Sequence, residues 1–399
     1  MSSASVSPTG EALLPTPARK PARPFPSYAP ATRSPKRLQA VDGLRAVAIS
    51  FVFLNHASGT TAFPGWLALI SRDPYLGVAG TGVKFFFVIS GFLITSILLR
   101  ELDRSGTIDR MAFLRRRARR LLPTLAVFVA VVALLRWVGV YAFPAWGLIG
   151  ALTFSGRLGS WEIGHLWSMA VQEQFYLVWT AILVLGGRRL ASIGALTMVI
   201  AVPLARVVHV TLQPDVPSLY LTNGASIDTI ALGCLLALHR DRLATSRWFS
   251  AAVELRYTIP LLYLLGSAAA LVGYRPGILL RAPLVAAAIV VLLERCIRHP
   301  ERGLAKVVSS RGAVYIGSAS YSLYLWQQLF LNPGSTSPMA AFPVNAIAAV
   351  GVGLLSWHFI ERPLSTGVNA WLARLRTPRA VDRSADALPA PQFGRPAAA

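Results

Sequence analysis

The chain has 399 residues, 54% hydrophobic and only 14% charged, with a formal net charge of +22. A soluble globular chain carries roughly 25% charged residues, so there is too little polar surface here to solvate a globule of this size. The basic excess does not point to nucleic acid. It sits in short blocks between apolar runs, as it does where arginine and lysine orient a membrane protein. Cys234 and Cys296 offer neither a disulfide framework nor a metal-ligand spacing.

Residues 1–37 hold six Lys/Arg and Pro15, Pro17, Pro21, Pro24 and Pro26, with no apolar core. They read as a disordered cytoplasmic tail and as neither a signal peptide nor a folded domain. Ten apolar spans follow, at about 41–59, 78–99, 121–142, 166–186, 191–209, 223–239, 257–274, 282–294, 312–331 and 342–360. The tail over 366–399 is again Pro-rich and reads as disordered. The fold class is therefore all-α, a polytopic bundle of about ten transmembrane helices. Alternate connections are basic, above all the one holding Arg115, Arg116, Arg117, Arg119 and Arg120, which places both termini in the cytoplasm. A plasma (inner) membrane location follows from the same pattern.

Ionisable groups at bilayer depth each need a reason. In the first span Arg45 and His56 are eleven residues apart, so they share a helix face to within about 20° and stand about 16 Å apart along it. Arg45 suits a topogenic anchor or a fixed cation in a site. His56 suits an interfacial histidine or a group that accepts and returns a proton. Glu173 and Asp228 enter from the outer side, so His56, Glu173 and Asp228 are expected to share the outer half. One carboxylate there would orient His56 as in Ser–His–Asp arrangements; the alternative is that both tie helices together. Arg117 and Arg120 share a face of the cytoplasmic arginine cluster, and their guanidinium forks match phosphate oxygens.

Several stretches resemble, in order and spacing, the membrane-bound acyltransferase 3 family. They begin with Leu38-Gln39-Ala40-Val41-Asp42-Gly43-Leu44-Arg45 and Gly82-Val83-Lys84-Phe85-Phe86-Phe87. The arginine cluster ending at Pro123 and His165-Leu166-Trp167-Ser168 through Leu177 continue the series. Asp228 with Gly233, Ser318 through Trp326, and Ile360-Glu361-Arg362-Pro363 complete it. The resemblance covers about residues 38–365. It implies transfer of an acyl group, usually acetyl, from cytoplasmic acyl-CoA to a hydroxyl of a carbohydrate or glycosylated small molecule. His56, Glu173 and Asp228 would be catalytic, and Arg45, Arg117 and Arg120 would contact the acyl-CoA; no permanently bound cofactor or metal is implied. The partners implied are acyl-CoA, a glycan acceptor and the lipid bilayer. Three positions depart from the family pattern: Gln172 stands where the acid is most common, Ser226 where an arginine is common, and Gln327-Gln328 where histidine is frequent. The alternative from another class is a proton-coupled transporter or flippase of a glycan or glycolipid.

Overall fold

The computed structural model describes residues 36–72, 80–155, 160–213, 226–335 and 337–364. The two expected disordered tails lie outside these residues, except that Lys36 and Arg37 already belong to the first helix. All regular elements among the described residues are helical. That outcome follows from the solvent: in hydrocarbon every backbone N–H and C=O must be satisfied within the segment, and long runs of Leu, Ala, Val and Phe meet the condition as helices.

In chain order the helices are α1 (Lys36–Ala57), α2 (Gly65–Arg72), α3 (Thr81–Ser105), α4 (Arg110–Trp137), α5 (Trp146–Thr153) and α6 (Trp161–Gly164). Then come α7 (Trp167–Leu212), α8 (Ile227–Thr245), α9 (Arg247–Glu254), α10 (Thr258–Val272), α11 (Tyr274–Arg298), α12 (Gly303–Val308) and α13 (Arg311–Ser318). Last are α14 (Ser320–Phe330), α15 (Val344–Ser356) and a π-helical turn at Trp357–Glu361.

Six helical stretches among the described residues are long and apolar enough to cross a membrane. They are Gln39–Ala57, Thr81–Ser105, Arg110–Trp137, Trp161–Leu212, Arg275–Arg298 and Val344–Leu364. The pair Arg247–Glu254 and Thr258–Val272, bent by 92°, makes a seventh if counted as one span. Several of the ten expected segments share such a stretch or fall short of one. The segments at 166–186 and 191–209 both lie in α7, whose 46 residues are two helices meeting at a kink; end to end they would extend about 69 Å, twice a hydrocarbon core of about 30 Å. Gly187 breaks α7 with φ 56° and ψ −154°, a conformation essentially reserved for glycine. The segment at 312–331 is divided at Ala319 into α13 and α14. The segment at 223–239 becomes α8, whose C-terminal half carries His239, Arg240, Asp241 and Arg242.

Three large apolar cores and a smaller one at Ala57, Leu331 and Ala349 hold the bundle among the described residues. Leu44, Val88, Ile89, Ile289 and Leu293 join α1, α3 and α11. Ile49, Phe128, Leu323, Leu325 and Trp326 join α1, α4 and α14. Phe87, Leu98, Trp179, Ile230 and Cys234 join α3, α7 and α8. The α3–α8 crossing uses small residues from both helices. A Cβ at Gly91 would lie 2.1 Å from the Ile230 carbonyl oxygen, and one at Gly233 would lie 2.1 Å from the Val88 carbonyl oxygen. Only hydrogen at both positions lets the backbones approach this closely.

Candidate functional site

The start of α4 is pinned before it delivers its arginines. The Asp109 carboxylate accepts from the Ala112 amide at 2.8 Å, a helix N-cap. Glu101 of α3 accepts from the Asp109 amide at 2.8 Å and pairs with Arg116 at 3.3 Å. The face carrying Arg117 and Arg120 then turns toward α1, α7 and α14. There Arg45, Arg116, Arg117 and Arg120 line one cavity of about 370 Å³, opposite an apolar wall that includes Val83, Phe86 and Leu93. The three arginines named from the sequence thus converge on one space.

Three of the four arginines in that space have carboxylate partners, Arg116 being held by Glu101. Arg117 lies 4.0 Å over the Tyr176 ring centroid and presents two nitrogens to Glu173, Nε to Oε2 at 3.2 Å and an Nη to Oε1. Arg45 pairs loosely with Asp42 at 3.7 Å. The buried Glu361 carboxylate, on the π turn, accepts from Ser322 Oγ at 2.7 Å, and Arg120 and Arg45 are the cations acting on it. Gln172 and Glu173 both line the cavity.

His56, Glu173 and Asp228 do not come together. Glu173 is taken by Arg117, whose long side chain reaches two turns up α7. Asp228, in the first turn of α8, is taken by Arg206 of α7 at 2.7 and 3.0 Å, with side chains only 4% and 2% exposed. The group that meets His56 is an amide: His56 Nδ1 and Gln327 Oε1 are 2.8 Å apart. Trp161 packs edge-on to the imidazole, centroids 5.4 Å apart. Gln327 and Arg206 are functional candidates that the sequence analysis did not select. Both left a signal: Gln327 sits at a departure from the family pattern, and Arg206 is an ionisable residue inside an apolar span.

Helix α14 links the two regions. Ser320, Tyr321 and Tyr324 line the cavity, and Gln327, one turn beyond Tyr324, meets His56. A layer of buried rings lies between them. Tyr324 Oη donates to the His165 carbonyl oxygen at 2.8 Å and sits 2.8 Å from Ser168 Oγ. The His165 ring donates from Nε2 to the Leu325 carbonyl at 3.0 Å, and its amide donates to Gln328 Oε1 at 3.0 Å. Phe128 packs edge-on against both His165 and Trp326. Ser168 and Tyr324 reach the cavity wall; His165 and His56 do not.

The acyltransferase 3 family model, described as an acyltransferase domain, matches residues 38–358. The chain belongs to this family. It is 27% identical over 373 residues to a putative peptidoglycan O-acetyltransferase, YrhL, of Bacillus subtilis, covering 84% of this chain and 56% of that protein. It is 26% identical over 370 residues to the O-acetyltransferase OatA of Staphylococcus aureus, covering 83% and 58%. A third relative is the peptidoglycan O-acetyltransferase OatA of Listeria monocytogenes, 27% identical over 363 residues, covering 83% and 56%. The chain therefore spans less than two thirds of the length of these relatives. No solved structure matches it. Membership of the family gives the arginine-lined cavity and His56 a common frame in which to be read.

Proposed function

We propose that this chain is a membrane O-acetyltransferase that moves an acetyl group from cytoplasmic acyl-CoA to a hydroxyl of a cell-envelope glycan. In this reading it makes ten passes through the plasma membrane, with both termini in the cytoplasm. The observation that carries the proposal is the convergence of Arg45, Arg117 and Arg120 on one cavity, with His56 about 16 Å further along the same helix as Arg45. Guanidinium groups pair with phosphate oxygens, and the apolar wall of Val83, Phe86 and Leu93 suits the uncharged arm of the donor. The relatives named as peptidoglycan O-acetyltransferases support a glycan acceptor.

In the reaction His56 Nε2 removes the proton of an acceptor hydroxyl as its oxygen attacks the thioester carbonyl. The tetrahedral intermediate collapses with cleavage of the C–S bond, and the imidazolium returns its proton to the leaving thiolate. Glu173 and Asp228 act as positioning residues, the first holding Arg117 over Tyr176 and the second holding Arg206 between α7 and α8. Tyr324, Ser168 and His165 stand between donor cavity and His56, so the acyl end of the donor must pass this layer to react.

The test is in-cell labelling with isotopic acetate, comparing wild type with His56→Ala at equal membrane levels. A labelled glycan that disappears in the variant is the expected result. Base assistance supplies roughly 10²–10⁴-fold in rate, so equal labelling in both strains would remove His56 from the mechanism.

A further inference from the structure

Neither carboxylate of the expected site reaches His56, yet the imidazole is not left to choose its own tautomer. Gln327 is 0% exposed, and its Oε1 stands 2.8 Å from Nδ1 of His56. An amide oxygen only accepts, so the proton of the neutral imidazole is drawn to Nδ1 and the lone pair is left on Nε2. Nε2 has no hydrogen-bond partner among the described residues.

We infer that Gln327 is the positioning residue of His56, an uncharged amide that fixes the imidazole in the tautomer with a free Nε2 lone pair. The inference rests on the proposed role of His56 as base and adds the group that prepares it. Four further contacts make the pairing rigid. Trp161 bears edge-on against the imidazole and donates its Nε1–H to the Gln328 carbonyl at 3.0 Å. Gln328 Oε1 accepts the His165 amide at 3.0 Å, so the segment carrying Trp161 and the one carrying Gln327 are locked in register. The Leu331 amide closes on the Gln327 carbonyl at 3.0 Å, keeping Gln327 inside the last turn of α14.

The choice of an amide over a carboxylate has a chemical consequence. A carboxylate beside Nδ1 would stabilise the imidazolium and bring a second charge into an apolar layer. The amide sets the same orientation and adds no net charge. It also carries something a carboxylate lacks: its Nε2 is buried without a hydrogen-bond partner. An amide nitrogen one carbon away from the oxygen that holds His56 supplies two N–H donors to any acceptor oxygen delivered there. A buried orphan donor is costly, about 1–3 kcal/mol, so a polar ligand that satisfies it gains by binding.

The experiment uses the full chain in lipid nanodiscs with 15N-labelled histidine, the His56 signals being identified by their loss in His56→Ala. In the wild type Nδ1 is expected to show the protonated, pyrrole-type shift and Nε2 the unprotonated, pyridine-type shift. In Gln327→Met, which keeps volume and removes the acceptor, the two shifts should move toward each other. Turnover should fall on the order of tenfold to a hundredfold, part of what base assistance supplies, with the KM for acyl donor unchanged. Gln327→Glu restores an acceptor at the same place and should restore the protonated Nδ1. A wild-type spectrum with the proton on Nε2 overturns the inference without recourse to any variant. So does a folded Gln327→Met protein with wild-type shifts and turnover. Full turnover in His56→Ala would instead defeat the proposed mechanism, and the nitrogen shifts would still decide the role of Gln327.

Discussion

The Arg206–Asp228 pair allows a sharp test, because its two halves fail differently. Both side chains are almost fully buried, 4% and 2% exposed, between the second arm of α7 and the start of α8. Removing one partner of a buried pair costs about 3–5 kcal/mol, since the other is left as an uncompensated charge. A guanidinium cannot shed its charge, so whatever Asp228→Asn costs should not change with pH. A stranded carboxylate can take up a proton instead. Doing so costs about 1.36 kcal/mol for each pH unit above an ordinary carboxyl pKa of about 3.9, hence about 4 kcal/mol at pH 7 and about 1.5 kcal/mol at pH 5. Arg206→Met should therefore recover about 2.5 kcal/mol on moving from pH 7 to pH 5, whereas Asp228→Asn should recover nothing. The assay is equilibrium unfolding of the purified full chain in detergent at the two pH values, each variant compared with wild type. An Arg206→Met loss that ignores pH, or an Asp228→Asn loss that changes with it, would refute the reasoning. The stability readout also separates a structural Asp228 from one that acts in the reaction.

Three further outcomes are expected. Gly187→Ala has open space for its methyl but a φ of 56° and a ψ of −154°, so it should cost about 1–3 kcal/mol of backbone strain, read as a lower thermal midpoint in detergent. Gly91→Ala and Gly233→Ala each put a methyl 2.1 Å from a facing carbonyl; each should destabilise by about 1–3 kcal/mol or more, and the double variant should fall short of the sum. In the proposed reading Arg120→Ala would remove a charge-assisted contact to the donor worth about 1.5–3 kcal/mol, so the KM for acyl-CoA should rise about tenfold to a hundredfold with kcat little changed, measured by thiol release in membranes.

Much of the bundle is legible in the order of apolar runs, because a helix in lipid needs only length and hydropathy to be recognised. Every one of the ten segments overlaps a helix among the described residues. The spans drawn at 166–186 and 191–209 flank the break at Gly187, whereas the single span at 312–331 does not register the division at Ala319. The shared cavity of Arg45, Arg117 and Arg120 follows from helical period and from one shared level along the helices. The surroundings of His56 do not. Depth counted from a helix start places backbones, whereas partners depend on how far side chains reach: Arg117 climbs to Glu173, and Arg206 crosses to Asp228. Gln327 lies 271 residues from His56 in the chain, and no local periodicity encodes such a pairing.

The layer of Tyr324, His165, Phe128 and Trp326 between the arginine cavity and His56 also bears on the host cell's energy supply. A protein that served donor and acceptor on opposite faces through a continuous wet passage would short-circuit the ion gradient of every membrane it occupied. Here Tyr324 bonds the His165 carbonyl and the His165 ring bonds that of Leu325, Phe128 packs edge-on against His165 and Trp326, and His165 Nδ1 and Trp326 Nε1 stay buried without a partner. Apolar ring faces offer few groups to hold a file of water along which protons could hop. In the proposed reading, the wall that separates the two half-sites would also insulate the membrane between turnovers.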